Sequence, residues 1–104
     1  MKIDDFKDLY NLEAVILTQH FLERIGKRDI LLSDVKSTIM SGELIEIYED
    51  DYPHPSALIL GYTNNKIIHV VAGIGGGYIW LITSYIPDLK KWDENYKTRK
   101  VDKK

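Results

Sequence analysis

The sequence predicts an α+β fold: N-terminal helices packed on one face of a four-stranded antiparallel sheet wound as a meander. Three observations carry this expectation. Apolar residues recur at helical spacing up to about Ser41, then alternate with strand periodicity from Glu43. The strand-like runs follow the helical ones instead of interleaving with them, which separates α from β along the chain. The connections between those runs are too short for crossovers, so sequential strands must pair antiparallel.

Each element has its own signature. "DDFKDLYNLEA" sets Phe6, Leu9 and Tyr10 on one helical face, with acids at the start where the macrodipole favours them. "AVIL" is short and apolar, a strand or an extended link. Thr18 suits the N-cap of a second helix reaching about Lys27. Phe21 and Ile25 form its core seam, and Gly26 weakens it near its end. "ILLSDVKSTIMSGE" predicts a third helix, with Ser33 as N-cap, Asp34 in the first turn, and Val35, Ile39 and Met40 inward. Gly42 stands where a left-handed stop is wanted. "ELIEIY", "ALILGY", "KIIHVVAG" and "YIWLITSY" predict the strands, and "DYPHPS", "TNN" and the glycine run predict the turns. The last two strands are apolar on both faces, which places them centrally. Pro87 stops the fourth strand, and Trp92 anchors the end of a single domain over residues 1–92. Residues 93–104 are expected as a basic, mobile tail.

A chain of 104 residues is one domain, and its 44% hydrophobic content supplies a core without staples. There is no cysteine, which removes disulfide and thiolate chemistry and fits a reducing compartment. The N-terminus is acidic and mixed, unlike a signal peptide. No apolar run approaches the roughly 20 residues that span a bilayer. The expectation is a cytoplasmic protein with no membrane role. The net charge of −2 conceals an acidic run at Glu43–Asp51 and a basic one from Lys90 onward. A total so near zero neither supports nor excludes nucleic acid, because local patches decide binding.

Most familiar motifs fail on spacing. "AGIGGGY" lacks the G-x-G-x-x-G pattern, since Tyr78 fills the last slot, and it joins two strands instead of opening a helix. It reads as a hairpin turn. His20, His54 and His69 sit on three separate elements with no metal-ligand spacing. "YEDDYPHPS" lacks the EF-hand pattern. No G-x-S-x-G elbow is present. Nothing calls for a metal or another cofactor.

One pattern survives. His20, Arg24 and Arg28 recur every fourth residue, and each step of four advances about 6 Å and rotates about 40° on a helix. They form one ridge beside the Phe21–Ile25 seam. Like charges at that spacing are mildly destabilising, and arginine suits bidentate contact with phosphate or carboxylate. A solvated face or structural ion pairs would equally produce such a row. On the strands, His69 lies amid apolar residues, where a core histidine is the plainer reading. Thr83 and Tyr85 share one strand face. A hairpin centred near Gly76 sets His69 against Thr83. Should the ridge cross this end of the sheet, the side chains would suit metal-independent cleavage of RNA. His20, His69 and Tyr85 would then be the catalytic acid–base groups, and Arg24, Arg28 and Thr83 would hold the phosphate. The alternative is a non-catalytic module that recognises an acidic protein partner or an anionic ligand. A third reading leaves the ridge structural.

These residues also carry a resemblance. His20 with Arg24 and Arg28, Ile30 with Asp34 and Val35, and the Gly42-Glu43-x-Ile45-Glu46-x-Tyr48 stretch form its first part. The His69-Val70 pair and Ile82-Thr83-x-Tyr85-x-Pro87 complete it. Together they resemble the prokaryotic domain-of-unknown-function 4258 family over about Val15 to Trp92, with an extra turn glycine as the departure. More distantly, helices followed by an antiparallel sheet with scattered His, Arg, Thr and Tyr look like the RelE/BrnT-type toxins. That likeness implies a cytoplasmic ribonuclease whose partners are RNA and an antitoxin-like protein.

Overall fold

The computed structural model describes residues 1–101. Among them lie helices α1 (Ile3–Asn11), α2 (Gln19–Lys27) and α3 (Leu32–Ser41), and strands β1 (Val15–Ile16), β2 (Glu43–Tyr48), β3 (Ser56–Thr63), β4 (Lys66–Gly75) and β5 (Tyr78–Tyr85). The strands form one mixed sheet in the order β1-β5-β4-β3-β2. The expected four-stranded meander is present as β2 to β5, but the sheet has a fifth strand. "AVIL" supplies it: Val15 and Ile16 pair in parallel with Ile79 and Trp80. A parallel partner arises because the chain returns through α2, α3 and three strands before reaching β5. Two residues give no periodicity from which to read that pairing.

The helices cover one face of the sheet. Phe6 from α1, Phe21 and Ile25 from α2, and Val35 and Ile39 from α3 are buried against Ile59, Ile68, Val70, Ala72, Ile79 and Leu81. The other face, called outer below, carries Leu58, Leu60 and His69, which are also buried. Its cover is the C-terminal segment. Where the sequence suggested a mobile tail from residue 93, residues 91–100 fold back on themselves with defined contacts. The Asp93 amide donates to the Thr98 carbonyl at 2.8 Å, and the Lys100 amide to the Lys91 carbonyl at 2.9 Å. Residues 102–104 of that tail lie outside the described residues.

Helix ends follow local chemistry. The Thr18 hydroxyl caps α2 by accepting from the Phe21 amide at 3.0 Å, as its sequence position indicates. α3 begins at Leu32, with Leu31 and not Ser33 at its N-cap, because the Asp34 carboxylate reaches back to the Leu31 amide at 2.9 Å and takes over the capping role. Gly42 is extended, with φ −88° and ψ −171°, not left-handed. Its lack of a side chain serves a close approach: a Cβ there would stand 2.2 Å from the Thr38 carbonyl and 2.4 Å from that of Leu60.

The β4–β5 hairpin turns on Gly76 and Gly77, both at positive φ, as a two-residue turn requires. Ile82 is an extra residue between Leu81, opposite Ala72, and Thr83, opposite Val71. This bulge moves the far register on by one step. His69 therefore faces Tyr85, not Thr83.

Candidate functional site

The outer face of β5 presents Thr83 and Tyr85 toward the folded-back C-terminal segment. Between them lies a half-open cleft of about 500 Å³, lined by Arg28, Thr83, Tyr85, Asp88, Lys91, Trp92 and Arg99 among others. Arg28 follows α2 as its C-cap and reaches across to β5. Its Nη1 donates to the Ser84 carbonyl at 2.8 Å and to the Thr83 hydroxyl at 3.2 Å. This stretch of β5 has no strand on its outer side, since β1 pairs only with Ile79 and Trp80. Arg28 thus satisfies an edge carbonyl and brings positive charge to the cleft at once.

The opposite wall is held by a polar network. Arg99 grips the Glu46 carboxylate with Nε and Nη2, both at 3.0 Å, in a two-pronged pair. Its guanidinium lies 4.6 Å from the Trp92 ring centre, within cation–π range. The Tyr48 hydroxyl donates to the same carboxylate. Burial raises the Glu46 carboxyl, but Arg99 and Tyr48 more than offset this and hold it below its ordinary value. Burial and the Glu46 carboxylate push the Tyr48 phenol up to about 12. Glu46 compensates much of the Arg99 charge. Lys91 makes no ion pair or side-chain hydrogen bond among the described residues, so its ammonium remains available.

Beneath the cleft, His69 is fully buried. Its ring meets Trp92 edge-on at 4.6 Å and Tyr85 at 5.3 Å between centroids. Nε2 lies 2.7 Å from the Tyr96 carbonyl, and Nδ1 lies 3.3 Å from the Tyr85 hydroxyl. A carbonyl only accepts, so Nε2 carries the proton. Burial lowers the His69 pKa, the Tyr96 carbonyl opposing it, and the net effect favours the neutral ring. Nδ1 is then a lone pair, and the Tyr85 hydroxyl donates to it. The Tyr85 oxygen consequently turns its acceptor side to the cleft. Burial also raises the Tyr85 pKa.

Of the six residues singled out by sequence, the structure brings Arg28, Thr83, Tyr85 and His69 together. It does not bring His20 or Arg24 to them. His20 is exposed on the first turn of α2, and Arg24 is half-buried on its middle. Neither lines the cleft. The helical ridge winds away as it descends, so only its last member reaches β5. Sequence reasoning missed Glu46, Lys91, Trp92, Tyr96 and Arg99. The available signal was aromatic: Trp92 and Tyr96 interrupt a charged segment that would have no use for them if it stayed in water.

The family model described as "Domain of unknown function (DUF4258)" matches residues 17–86. The chain belongs to this family. The matched span of the DUF4258 domain includes α2, α3 and strands β2 to β5, and so contains Arg28, Thr83, Tyr85 and His69. Lys91, Trp92 and Arg99, on the opposite wall, follow it. No curated protein and no solved structure matches the chain. Among the described residues, no group of three or more His, Asp or Glu is placed to hold a metal ion, and no helix is long and apolar enough to cross a membrane.

Proposed function

We propose that this DUF4258 protein binds single-stranded RNA by holding a backbone phosphate in the cleft between β5 and the C-terminal segment. The observation that carries this reading is that Arg28, bonded to the Thr83 hydroxyl, and Lys91 line one half-open cleft. Guanidinium, ammonium and hydroxyl donors are the groups that phosphate oxygens accept from. Asp88 at the rim limits the excess positive charge, so affinity rests on local donors instead of a broad basic field.

The test is binding of a labelled oligoribonucleotide, followed by anisotropy across a salt series. Lys91→Ala should weaken binding several-fold and reduce the log–log salt slope by about 0.7, the increment for one lost phosphate contact on a single strand. Arg28→Lys should weaken it less than Arg28→Ala, because charge survives while the fork is lost. Absence of binding by the wild type at low salt overturns the reading. Capture of an acidic peptide instead of RNA would favour the protein-recognition alternative.

A second reading, RNA cleavage in the manner of a RelE-like metal-independent ribonuclease, is favoured by one arrangement. The Tyr85 hydroxyl is backed by His69, and His69 is oriented by a third group, the Tyr96 carbonyl. This is the relation of an acid–base group to an oriented base. The proton energetics oppose it, since burial raises Tyr85 and lowers His69. Binding is therefore the primary reading. Tyr85→Phe separates the two: it abolishes any cleavage and leaves RNA affinity within a few-fold.

A further inference from the structure

A second feature of the outer face lies farther along β5. Tyr52, His54 and Trp80 surround an apolar pocket of about 270 Å³ whose wall contains no charged side chain. Two of the three rings are built in. The Trp80 indole N–H donates to the Gly75 carbonyl at 3.0 Å, and the His54 ring lies 5.2 Å from the Trp80 ring at an angle of 32°. Gly75 makes room for this pair, because a Cβ there would fall 2.0 Å from His54 Nδ1. The third ring, Tyr52, is 92% exposed. Covering the sheet accounts for His54 and Trp80. It does not account for a large aromatic left in water at the mouth of the same pocket.

We infer that a nucleobase of the bound RNA strand stacks in this pocket on Trp80 and under Tyr52. The inference rests on the RNA reading above and names how that strand continues. Trp80 and Thr83 both project from the outer face of β5, opposite Gly73 and Val71. Because Ile82 is the bulged residue, their partners are only two residues apart on β4, so the two side chains stand roughly 7 Å apart along the sheet. One strand can then place a phosphate against Arg28 and Lys91 and a neighbouring base against Trp80. The chemistry of the two ends differs in the required sense. The cleft offers cationic donors. The pocket offers flat apolar faces and no cationic donor, and the Asp51 carboxylate, bonded to the Tyr52 amide, disfavours a phosphate beside Tyr52, which leaves an uncharged ring system as the fitting guest. Stacking on aromatic side chains is tolerant of base identity, so the site predicts single-strand selectivity more than sequence selectivity.

Two probes test this: a short oligoadenylate, and an abasic strand with the same sugar–phosphate backbone. The wild type should bind the oligoadenylate about tenfold more tightly, the scale of one aromatic stack. Tyr52→Ala should erase most of that preference and leave abasic affinity unchanged. Its main-chain amide bonds only the Asp51 carboxylate, and its ring is in solvent, so the fold is not at stake. Trp80 and Trp92 are the two tryptophans of the chain, one at each subsite. In Trp92→Phe, oligoadenylate should quench the remaining emission from Trp80, and the abasic strand should not. Equal affinity for both probes overturns the base pocket while leaving the phosphate cleft standing. A preference that survives Tyr52→Ala, with Trp80 unresponsive, also overturns it. Failure of both probes to bind overturns cleft and pocket together.

Discussion

His69 illustrates how one residue can read two ways. The residues around it, "KIIHVVAG", favour a core histidine, and it is buried. Its hydrogen bonds nonetheless connect the core to a cleft wall through Tyr85. The consequence for pH is specific. Its folded pKa lies below the ordinary 6.5, so between the two values the unfolded chain binds more protons. Stability is then full above about pH 6.5 and falls as pH drops toward the folded pKa, at a limiting slope of about 1.4 kcal/mol per unit. Asp34 and Glu46 act in the same direction but in a lower window. Burial raises both carboxyls, but their partners bring them below 3.8 and 4.5, so their contribution is lost only as pH falls below those values. Urea midpoints at a series of pH values should show two separate declines. His69→Asn should remove the upper one and keep the lower one, whatever its effect on baseline stability. The sequence placed His69 near the Thr83–Tyr85 end of β5 but set it opposite Thr83, and it gave no access to the Tyr96 carbonyl, which decides the tautomer. A backbone atom 27 residues away leaves no trace in side-chain spacing.

At the scale of elements, glycines separate packing from propensity. Gly61 on β3 lies under α3, and a Cβ there would stand 2.5 Å from Thr38 Oγ1 and 2.8 Å from Thr38 Cα. The helix backbone itself is the obstacle, so no rotamer change relieves it. Gly61→Ala should cost about 1–3 kcal/mol or more. Gly26, near the end of α2, has nothing within 4 Å of the position a Cβ would take. Gly26→Ala should stabilise by up to about 1 kcal/mol through helix propensity. Thermal or urea unfolding of both variants checks the contrast. Phe21→Ala, which empties a fully buried site on the same helix, should cost about 3–5 kcal/mol. The helices were legible because their seams and caps are local. Gly42 was legible as a special position but for the wrong reason, since the close approach of β3 is a tertiary fact. The bulge at Ile82 was illegible for the same cause: "YIWLITSY" alternates well enough to pass as a regular strand.

For the whole molecule, the decisive element is the C-terminal segment over the outer face. Its anchor, Trp92, is 3% exposed, and in its Arg99–Glu46 pair the Arg99 side chain is 60% exposed while Glu46 is half-buried, so solvent screening keeps the pair to about 1 kcal/mol. Trp92→Ala should therefore destabilise by about 3–5 kcal/mol, and Arg99→Ala by about 1 kcal/mol. A result in which Arg99→Ala is the more damaging would overturn this ranking. Sequence reasoning placed the sheet and its helices correctly because alternation and turn chemistry repeat over many residues. It left the outer face uncovered because a segment with no periodicity and mixed charge looks like a tail. It missed β1 as a parallel partner because pairing across such a separation depends on where the whole chain returns.

The walls of the cleft come from distant parts of the chain. Arg28 reaches β5 across 55 and 56 residues, and Arg99 reaches Glu46 across 53. The β3–β4–β5 hairpins join neighbours and close small loops, whereas the cleft closes large ones at greater entropic cost. Together with the β1–β5 pairing, which closes a still longer loop, it is thus expected to assemble late, and as the more exposed of the two to open early. Amide hydrogens at Asp93, Lys100 and Trp92 should exchange faster than those of β4. A phosphate-bearing ligand that requires the closed form should slow them by the factor 1 + [L]/Kd. Exchange at these few amides would then report occupancy of the cleft without any need for turnover.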